Sequence, residues 1–340
     1  MTIDLRPWAT AVPDAVVERL STARTVLSVG HENPDGDSLG ASLAVAIMAE
    51  QLGATAHVMC GDQVPSAYAF LPRFERFRTA PDPDAAYDLV VVSDCGTLDR
   101  IGPVRDRHAE LFRRLPHLIL DHHASNDHSD PGSWIDPAAA ATCEMVALVA
   151  SRLGVPLSAA GGDLATALIS GIVMDTATFA HPNATPRTLV VAAALVEGGG
   201  PLSDISRRLY RTKPDAQLRL FGLVLGRART TPDGRVLYST MTDADLASSG
   251  ASPDHSEGII DLLSQSETAD VVLLIKEGDG RSRLSVRTKP DGVDATVLTG
   301  SFGGGGHARA AGATIDLPVD AAVEAAIAEA VRLAAALHES

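Results

Sequence analysis

Short apolar runs alternate with stretches of helical length through the first part of the chain. Thr25-Val-Leu-Ser-Val29, Ala56 to Cys60, Asp88-Leu-Val-Val-Val-Ser-Asp94 and His117-Leu-Ile-Leu-Asp121 have the length and β-branched content of buried strands. Helices are predicted over 39–52, stopped by Gly53, and over 105–115, 142–153, 162–174 and 186–197. Apolar strands separated by helices indicate an α/β fold with a doubly wound, mostly parallel sheet covered on both faces. After Glu197 the pattern changes. Gly198-Gly-Gly-Pro201 reads as a break, and a polar helical stretch follows over 202–229. Strands are predicted at 235–239, 270–276 and 283–287, the last two joined by an Asp279-Gly280 hairpin signal. The tail, 319–337, reads as an alanine-rich amphipathic helix. The expected division is a first domain at 1–197, a helical linker at 198–229 and a smaller α/β domain at 230–340.

Composition agrees with two cores. The chain has 340 residues, more than one core usually spans. Its 28 basic and 43 acidic residues leave a net charge of −15, which argues against long duplex nucleic acid as a partner. Cys60, Cys95 and Cys143 form no CxxC pair and are expected to be buried thiols in a reducing compartment. Residues 1–24 lack a signal-peptide pattern and no apolar run approaches ~18 residues, so a cytoplasmic protein without a membrane span is expected.

Three of the predicted strands end in ionisable clusters. In open α/β sheets ligands gather beyond the carboxyl ends of the strands. After Val29 come His31, Asp35 and Asp37, an imidazole and two carboxylates that suit Mn2+, Zn2+ or Fe2+. The same Asn-Pro-Asp-Gly loop also fits a solvated turn with Asp37 or Ser38 capping the next helix. Asp94 closes a very apolar strand, where an unpaired carboxylate is costly. Asp121-His122-His123 places two imidazoles on opposite sides of a strand end, so one can bind metal while the other faces substrate. Asp175 lies at a helix C-terminus, where the dipole opposes an anion and a nearby cation would compensate.

Taken together, His31-Glu-Asn-Pro-Asp35-Gly-Asp37, Val92-Ser-Asp94, Asp121-His122-His123 and Met174-Asp175-Thr176 resemble the four ordered motifs of the DHH phosphoesterase superfamily. Gly303 to His307, followed by Ala310-Ala311-Gly312, resembles the Gly-Gly-Gly-His signature of the DHH-associated C-terminal domain. The resemblance spans Val26 to Gly312 and is nearest to the bacterial nano-RNase and phosphoadenosine-phosphate phosphatase type. It implies two divalent ions, Mn2+ first, with Fe2+, Co2+, Zn2+ and Mg2+ as alternatives. His31 and Asp35 would hold one ion, Asp37, His122 and Asp175 the other, and Asp94 both. A hydroxide between the metals would attack phosphorus. His123 would contact the substrate phosphate or assist the leaving group, and Asn126 would orient a phosphate or ribose oxygen. Gly304, Gly305 and Gly306 would offer a nest of backbone N–H groups, with His307 and Arg287 holding the far phosphate.

The implied substrates are short oligoribonucleotides, pApA, cyclic di-AMP or 3′-phosphoadenosine 5′-phosphate, hydrolysed to mononucleotides, and the sequence permits a homodimer. The active site is expected between the two domains. The resemblance also implies glycine and then arginine or a bulky residue after Asp175. This chain instead has Thr176-Ala-Thr-Phe-Ala-His181, so a substrate contact is either lost or supplied by His181. A manganese inorganic pyrophosphatase is the main alternative, weakly echoed in Arg281-Ser-Arg283. A RecJ-type single-strand exonuclease and a nucleotide-binding regulator without turnover rank lower. A GxGxxG dehydrogenase loop is absent after the first strand.

Overall fold

The computed structural model describes residues 3–126, 132–290 and 292–336. Two compact units divide between Thr212 and Lys213. The first runs α1 (Arg6–Ala9), α2 (Asp14–Thr22), β1 (Thr25–Val29), α3 (Gly36–Gln51), β2 (Thr55–Met59), β3 (Phe77–Arg78), β4 (Leu89–Ser93), α4 (Pro103–Arg107) and α5 (Ala109–Arg114). It continues through β5 (His117–Asp121), β6 (Trp134–Ile135), α6 (Thr142–Arg152), α7 (Asp163–Asp175), α8 (Pro186–Glu197) and α9 (Leu202–Tyr210). Its strands form one parallel sheet in the order β3-β2-β1-β4-β5-β6.

Alternate residues of the strands enter different cores, as a pleated sheet requires. Val26, Val58, Val91, Leu118 and Leu120 pack with buried residues of α3, α6 and α7. Leu27, Val29, Met59, Val90, Val92 and Ile119 pack with Ile101, Val104 and Phe112 on the other face. This is why the strands read as unbroken apolar runs. Strand order reverses direction at β1, which lies between β2 and β4, so the carboxyl ends of β1, β4 and β5 are neighbours. Such a switch point opens a crevice at that edge.

Local differences from the sequence reading have physical causes. Helix α3 begins at Gly36 rather than 39 because the Asp35 carboxylate accepts from the backbone N–H of Asp37 and Ser38, each at 3.0 Å. The helix expected over 105–115 is two short ones that meet at His108, whose φ of −117° is not helical. The two-residue strands β3 and β6 are too short to produce a periodic signal.

The second unit comprises α10 (Asp215–Gly226), β7 (Arg229–Thr230), β8 (Val236–Met241), α11 (Asp243–Ser249), α12 (Ile259–Leu263), β9 (Val271–Glu277) and β10 (Ser282–Thr288). It ends with α13 (Ala295–Gly300), β11 (Gly305–His307), β12 (Ala310–Ile315) and α14 (Val319–Ala336). The helical stretch expected over 202–229 is thus two helices, interrupted before Asp215 by Pro214, which cannot continue α9. The sheet order is β11-β12-β10-β9-β8-β7, antiparallel except for the parallel pair β8–β9. Helix α14 buries Ala322, Ala326, Ala330 and Ala334, one residue per turn, against a core with Val271, Leu273 and Ile275. Val272 and Leu274 face the opposite core with Leu220 and Val224 of α10 and Ile259 of α12. Among the described residues no single helix is long and apolar enough to cross a membrane.

Helices α3 and α7 touch where Gly40 has no side chain, and a Cβ there would stand 2.4 Å from the Ala167 carbonyl oxygen. Propensity alone would make Gly40→Ala stabilising by up to ~1 kcal/mol. The backbone contact reverses the sign, and the substitution should destabilise by ~1–3 kcal/mol. Denaturant unfolding checks this: an unchanged or higher midpoint would be incompatible with the helix contact.

Candidate metal centre

The crevice collects one acidic or imidazole group after another. His31 and Asp35 lie in the loop after β1, and Asp37 is in the first turn of α3. Asp94 follows β4, His122 and His123 follow β5, and Asp175 ends α7. Asp94 takes a left-handed backbone, φ 57°, which aspartate tolerates better than most residues. Its own N–H still donates to the Leu120 carbonyl at 2.9 Å, so the turn begins while the ladder to β5 is intact. Asp94 Oδ2 is 3.6 Å from His31 Nε2 and Oδ1 is 3.5 Å from His122 Nε2. The two oxygens of one buried carboxylate therefore face different imidazoles.

Around them the ligating atoms gather in three overlapping trios among the described residues, one of which joins Asp94, His122 and His123. Those of His31, Asp35 and Asp94 lie within 4.8 Å of one another, as do those of Asp37, His122 and Asp175. His31 Nδ1 is 2.6 Å from the Glu32 carbonyl and His122 Nδ1 is 3.3 Å from the Ala139 carbonyl. A carbonyl can only accept, so each Nδ1 carries the proton and each Nε2 presents a lone pair. In the neutral rings those lone pairs face carboxylate oxygens at 3.9 Å (His31 to Asp35) and 3.3 Å (His122 to Asp175). Acceptors facing acceptors across such gaps fit cations between them. Two imidazoles and four carboxylates are a donor set for divalent first-row metals.

The charges point the same way. Burial, followed by repulsion from Asp37, Asp94 and Asp35, pushes the Asp175 carboxyl up to about 10. Burial and the charges of Asp94 and Asp35 also hold Asp37 well above the usual carboxylate range. Burial would raise Asp94 as well, but His31, His122 and His123 in their protonated forms outweigh it and keep that carboxyl low. Without cations the cluster keeps protons it would not otherwise hold.

His123 has a different setting. Its Nδ1 is 2.7 Å from Asp121 Oδ1, and that carboxylate is the largest cause of its raised pKa. Asn126 Nδ2 donates to Asp121 Oδ2 at 2.7 Å and to the Cys95 carbonyl at 3.3 Å. Asn126 is thus buried beneath the half-exposed His123 ring, and its amide nitrogen is spent on protein acceptors. Of the residues on the following turn, His181 is exposed and its Nδ1 lies 3.0 Å from the Asp175 carbonyl.

Sequence reasoning missed the frame behind these groups. Helix α6 has no side-chain cap of its own. The Asp37 carboxylate caps it instead, accepting from Thr142 N at 2.6 Å and Cys143 N at 2.9 Å. Thr142 Oγ1 donates to Asp94 Oδ1 at 3.2 Å. One turn, 139–143, therefore meets His122, Asp37 and Asp94. It is held from behind by Glu144, which is fully buried and accepts from Arg187 Nε at 2.5 Å, Thr188 Oγ1 at 2.7 Å and Ala140 N at 3.2 Å. Arg187 Nη1 also donates to Asp136 at 2.9 Å. Gly171 completes the fit: a Cβ there would lie 2.4 Å from Asp37 Oδ1. Glu144 sits in an apolar helical stretch, and such an acid is a signal that a partner is required.

In the second unit Gly303 to Gly306, Arg283, Ser285 and Arg287 line a cavity of about 770 Å³. Arg287 Nε donates to Asp261 Oδ1 at 3.1 Å. His307 is exposed on β11, outside that lining.

Arg187→Met should leave Glu144 buried without a counter-charge, lower the unfolding temperature and loosen the turn that meets three candidate metal ligands. Mn2+ affinity is expected to fall by ~10–100-fold. Calorimetric titration of the folded variant checks this, and wild-type affinity would refute the coupling.

A model of the DHH family N-terminal domain matches residues 25–172, and one of the DHHA1 domain matches 233–336. A bifunctional oligoribonuclease and PAP phosphatase NrnA of Thermus thermophilus is 30% identical over 303 residues, covering 89% of this chain and 87% of that protein. One of the same description from Bacillus subtilis is 23% identical over 304 residues, covering 88% and 92%. The crystal structure of an exopolyphosphatase-related protein from Bacteroides fragilis has the same fold, with a TM-score of 0.82 at 20% identity over 96% of this chain and 98% of that one. With both domains matched in order and the relatives spanned nearly end to end, the chain belongs to the DHH family of phosphoesterases.

Proposed function

We infer that this protein is a two-metal hydrolase of short oligoribonucleotides and small nucleotides, releasing mononucleotides. The observation that carries this reading is Asp94, whose two oxygens face two different imidazoles, His31 beside Asp35 and His122 beside Asp175. His31, Asp35 and Asp94 would hold one divalent ion, and Asp37, His122 and Asp175, with Asp94 shared, a second, with Mn2+ the first candidate. When bound, two such ions would supply an acidified water and positive charge for the phosphoryl oxygens. No protein nucleophile is then required.

The chain's own residues do the rest. The Glu32 and Ala139 carbonyls fix the His31 and His122 tautomers. The α6 N-terminus orients Asp37. Asp121 keeps a proton on His123 Nδ1 and favours the charged ring, which leaves Nε2 to donate to a phosphoryl oxygen or to the departing oxygen. Asn126 acts by holding Asp121, and through it His123. In the second unit the glycine-lined cavity, with Arg287 at its wall, offers backbone N–H groups to a phosphate. Short substrates are favoured by the net charge of −15, which offers no extended basic track. The Thermus and Bacillus relatives, named for oligoribonuclease and PAP phosphatase activities, support the same class.

The test is product release with Mn2+ on pApA, cyclic di-AMP, a dinucleotide, a long RNA, 3′-phosphoadenosine 5′-phosphate and pyrophosphate. Mononucleotide should appear from the short substrates, disappear after chelation and return with added Mn2+. Asp94→Ala should lower the rate by more than ~100-fold, since it removes charge stabilisation worth several kcal/mol. Activity on pyrophosphate alone would move the protein to the pyrophosphatase branch, and silence across the panel in metal-replete protein would overturn the enzymatic reading.

A further inference from the structure

Aromatic side chains make up only 4% of the chain, yet two tyrosines meet at the end of α7 beside Asp175. Tyr68 is buried. Its hydroxyl is 3.7 Å from Met174 Sδ, and its ring lies against Gly36, between Asp35 and Asp37, where a Cβ would be 3.2 Å from Cε1. Tyr210, the last residue of α9, reaches the same methionine from another side. Its hydroxyl donates to the Met174 carbonyl at 2.8 Å.

One helical turn earlier, Ser206 Oγ is 2.9 Å from Thr178 Oγ1. Residues four apart share a helix face, so α9 is fixed on both sides of Asp175, at Met174 and at Thr178. The turn that follows Asp175 is itself unusual: Ala177, Thr178 and Phe179 all have positive φ. Despite the anchored hydroxyl, Tyr210 remains 41% exposed. Its phenol lies close enough to Asp175 for that charge to add to burial in raising it to about 12. Arg211 follows directly, exposed and with no ion pair among the described residues.

An aromatic side chain tethered at its tip loses little freedom when a flat ligand covers it. Bases stack on such platforms whatever their sequence, because every base has a π-face. We propose that Tyr210 is the nucleobase-stacking platform of the catalytic unit, taking the base of the nucleotide whose phosphate reaches Asp175. The inference rests on the nucleotide hydrolase reading and deepens it by assigning the base, rather than only the phosphates, to a residue of this unit. Met174 sets the height of the platform, since it both precedes Asp175 and accepts the Tyr210 hydroxyl. The site takes a purine or pyrimidine equally and is indifferent to a phosphate ester that lacks a base.

The test compares wild type with Tyr210→Leu and Tyr210→Phe. Substrates are a 5′-phosphorylated dinucleotide and the same compound made abasic at either position. Tyr210→Leu should raise KM about tenfold on the intact dinucleotide with little change in kcat, and should leave one abasic compound unaffected. Tyr210→Phe, which keeps the ring and loses only the tether, should retain most of the binding. Saturation-transfer NMR with AMP gives a readout without turnover: transfer to the adenine protons should weaken in the leucine variant and persist in the phenylalanine one. Equal losses on intact and abasic substrates would show damage to Asp175 rather than loss of a base contact and would overturn the proposal, as would wild-type KM and AMP binding in Tyr210→Leu. A wild-type protein that hydrolyses no nucleotide would count against the functional reading, while the AMP experiment would still decide the platform.

Discussion

Four carboxylates converge on one crevice, three of them well removed from water, and their mutual repulsion is the constraint on which the catalytic unit is built. Asp37, Asp94 and Asp175 cannot all be ionised in that setting without positive charge among them, as the raised Asp37 and Asp175 carboxyls show. The fold tolerates the arrangement because each group arrives on a different element whose own packing is secure. Strands β1 and β4 are buried on both faces, α3 is buried along most of its length, and α7 packs against it at a glycine. The apolar core thus supplies the stability that the site opposes, a usual division between scaffold and function.

Holding such groups still requires more than a scaffold. The imidazoles are locked by backbone carbonyls, Asp37 by a helix N-terminus, and His123 by Asp121 and Asn126. Behind them the buried Glu144–Arg187 pair fixes the turn at 139–143. A buried ion pair adds little net stability compared with apolar residues of similar volume. Its value here is geometric: it ties the start of α8 to the start of α6, and so to three residues of the centre.

The two units solve separate problems with different sheets. The parallel sheet of the first creates a switch point and hence a crevice. The mixed sheet of the second carries a glycine-lined cavity, where Gly304 runs so close to β12 that a side chain would collide with the Gly312 carbonyl. The DHH and DHHA1 models match the two units in that order.

Much of this was legible in the residues. Apolar runs buried on both faces announced the parallel strands, because a strand covered on two sides has no polar face to show. The polar and acidic residues at their ends announced a site, because isolated carboxylates do not end apolar strands without reason. His31, Asp35, Asp37, Asp94, His122 and Asp175 could therefore be picked out individually. Their pairing into trios, the two-sided stance of Asp94 and the tautomers of the histidines depend on distances between elements far apart in sequence, which no local pattern encodes. The same holds for Asp35 as the helix cap, for Asn126 as a support beneath His123, and for Glu144, Arg187 and Tyr210. Composition and periodicity determined which segments are strands and which groups bear charge. Tertiary packing alone decided which charges face one another, because that depends on strand order and helix contacts rather than on neighbours along the chain.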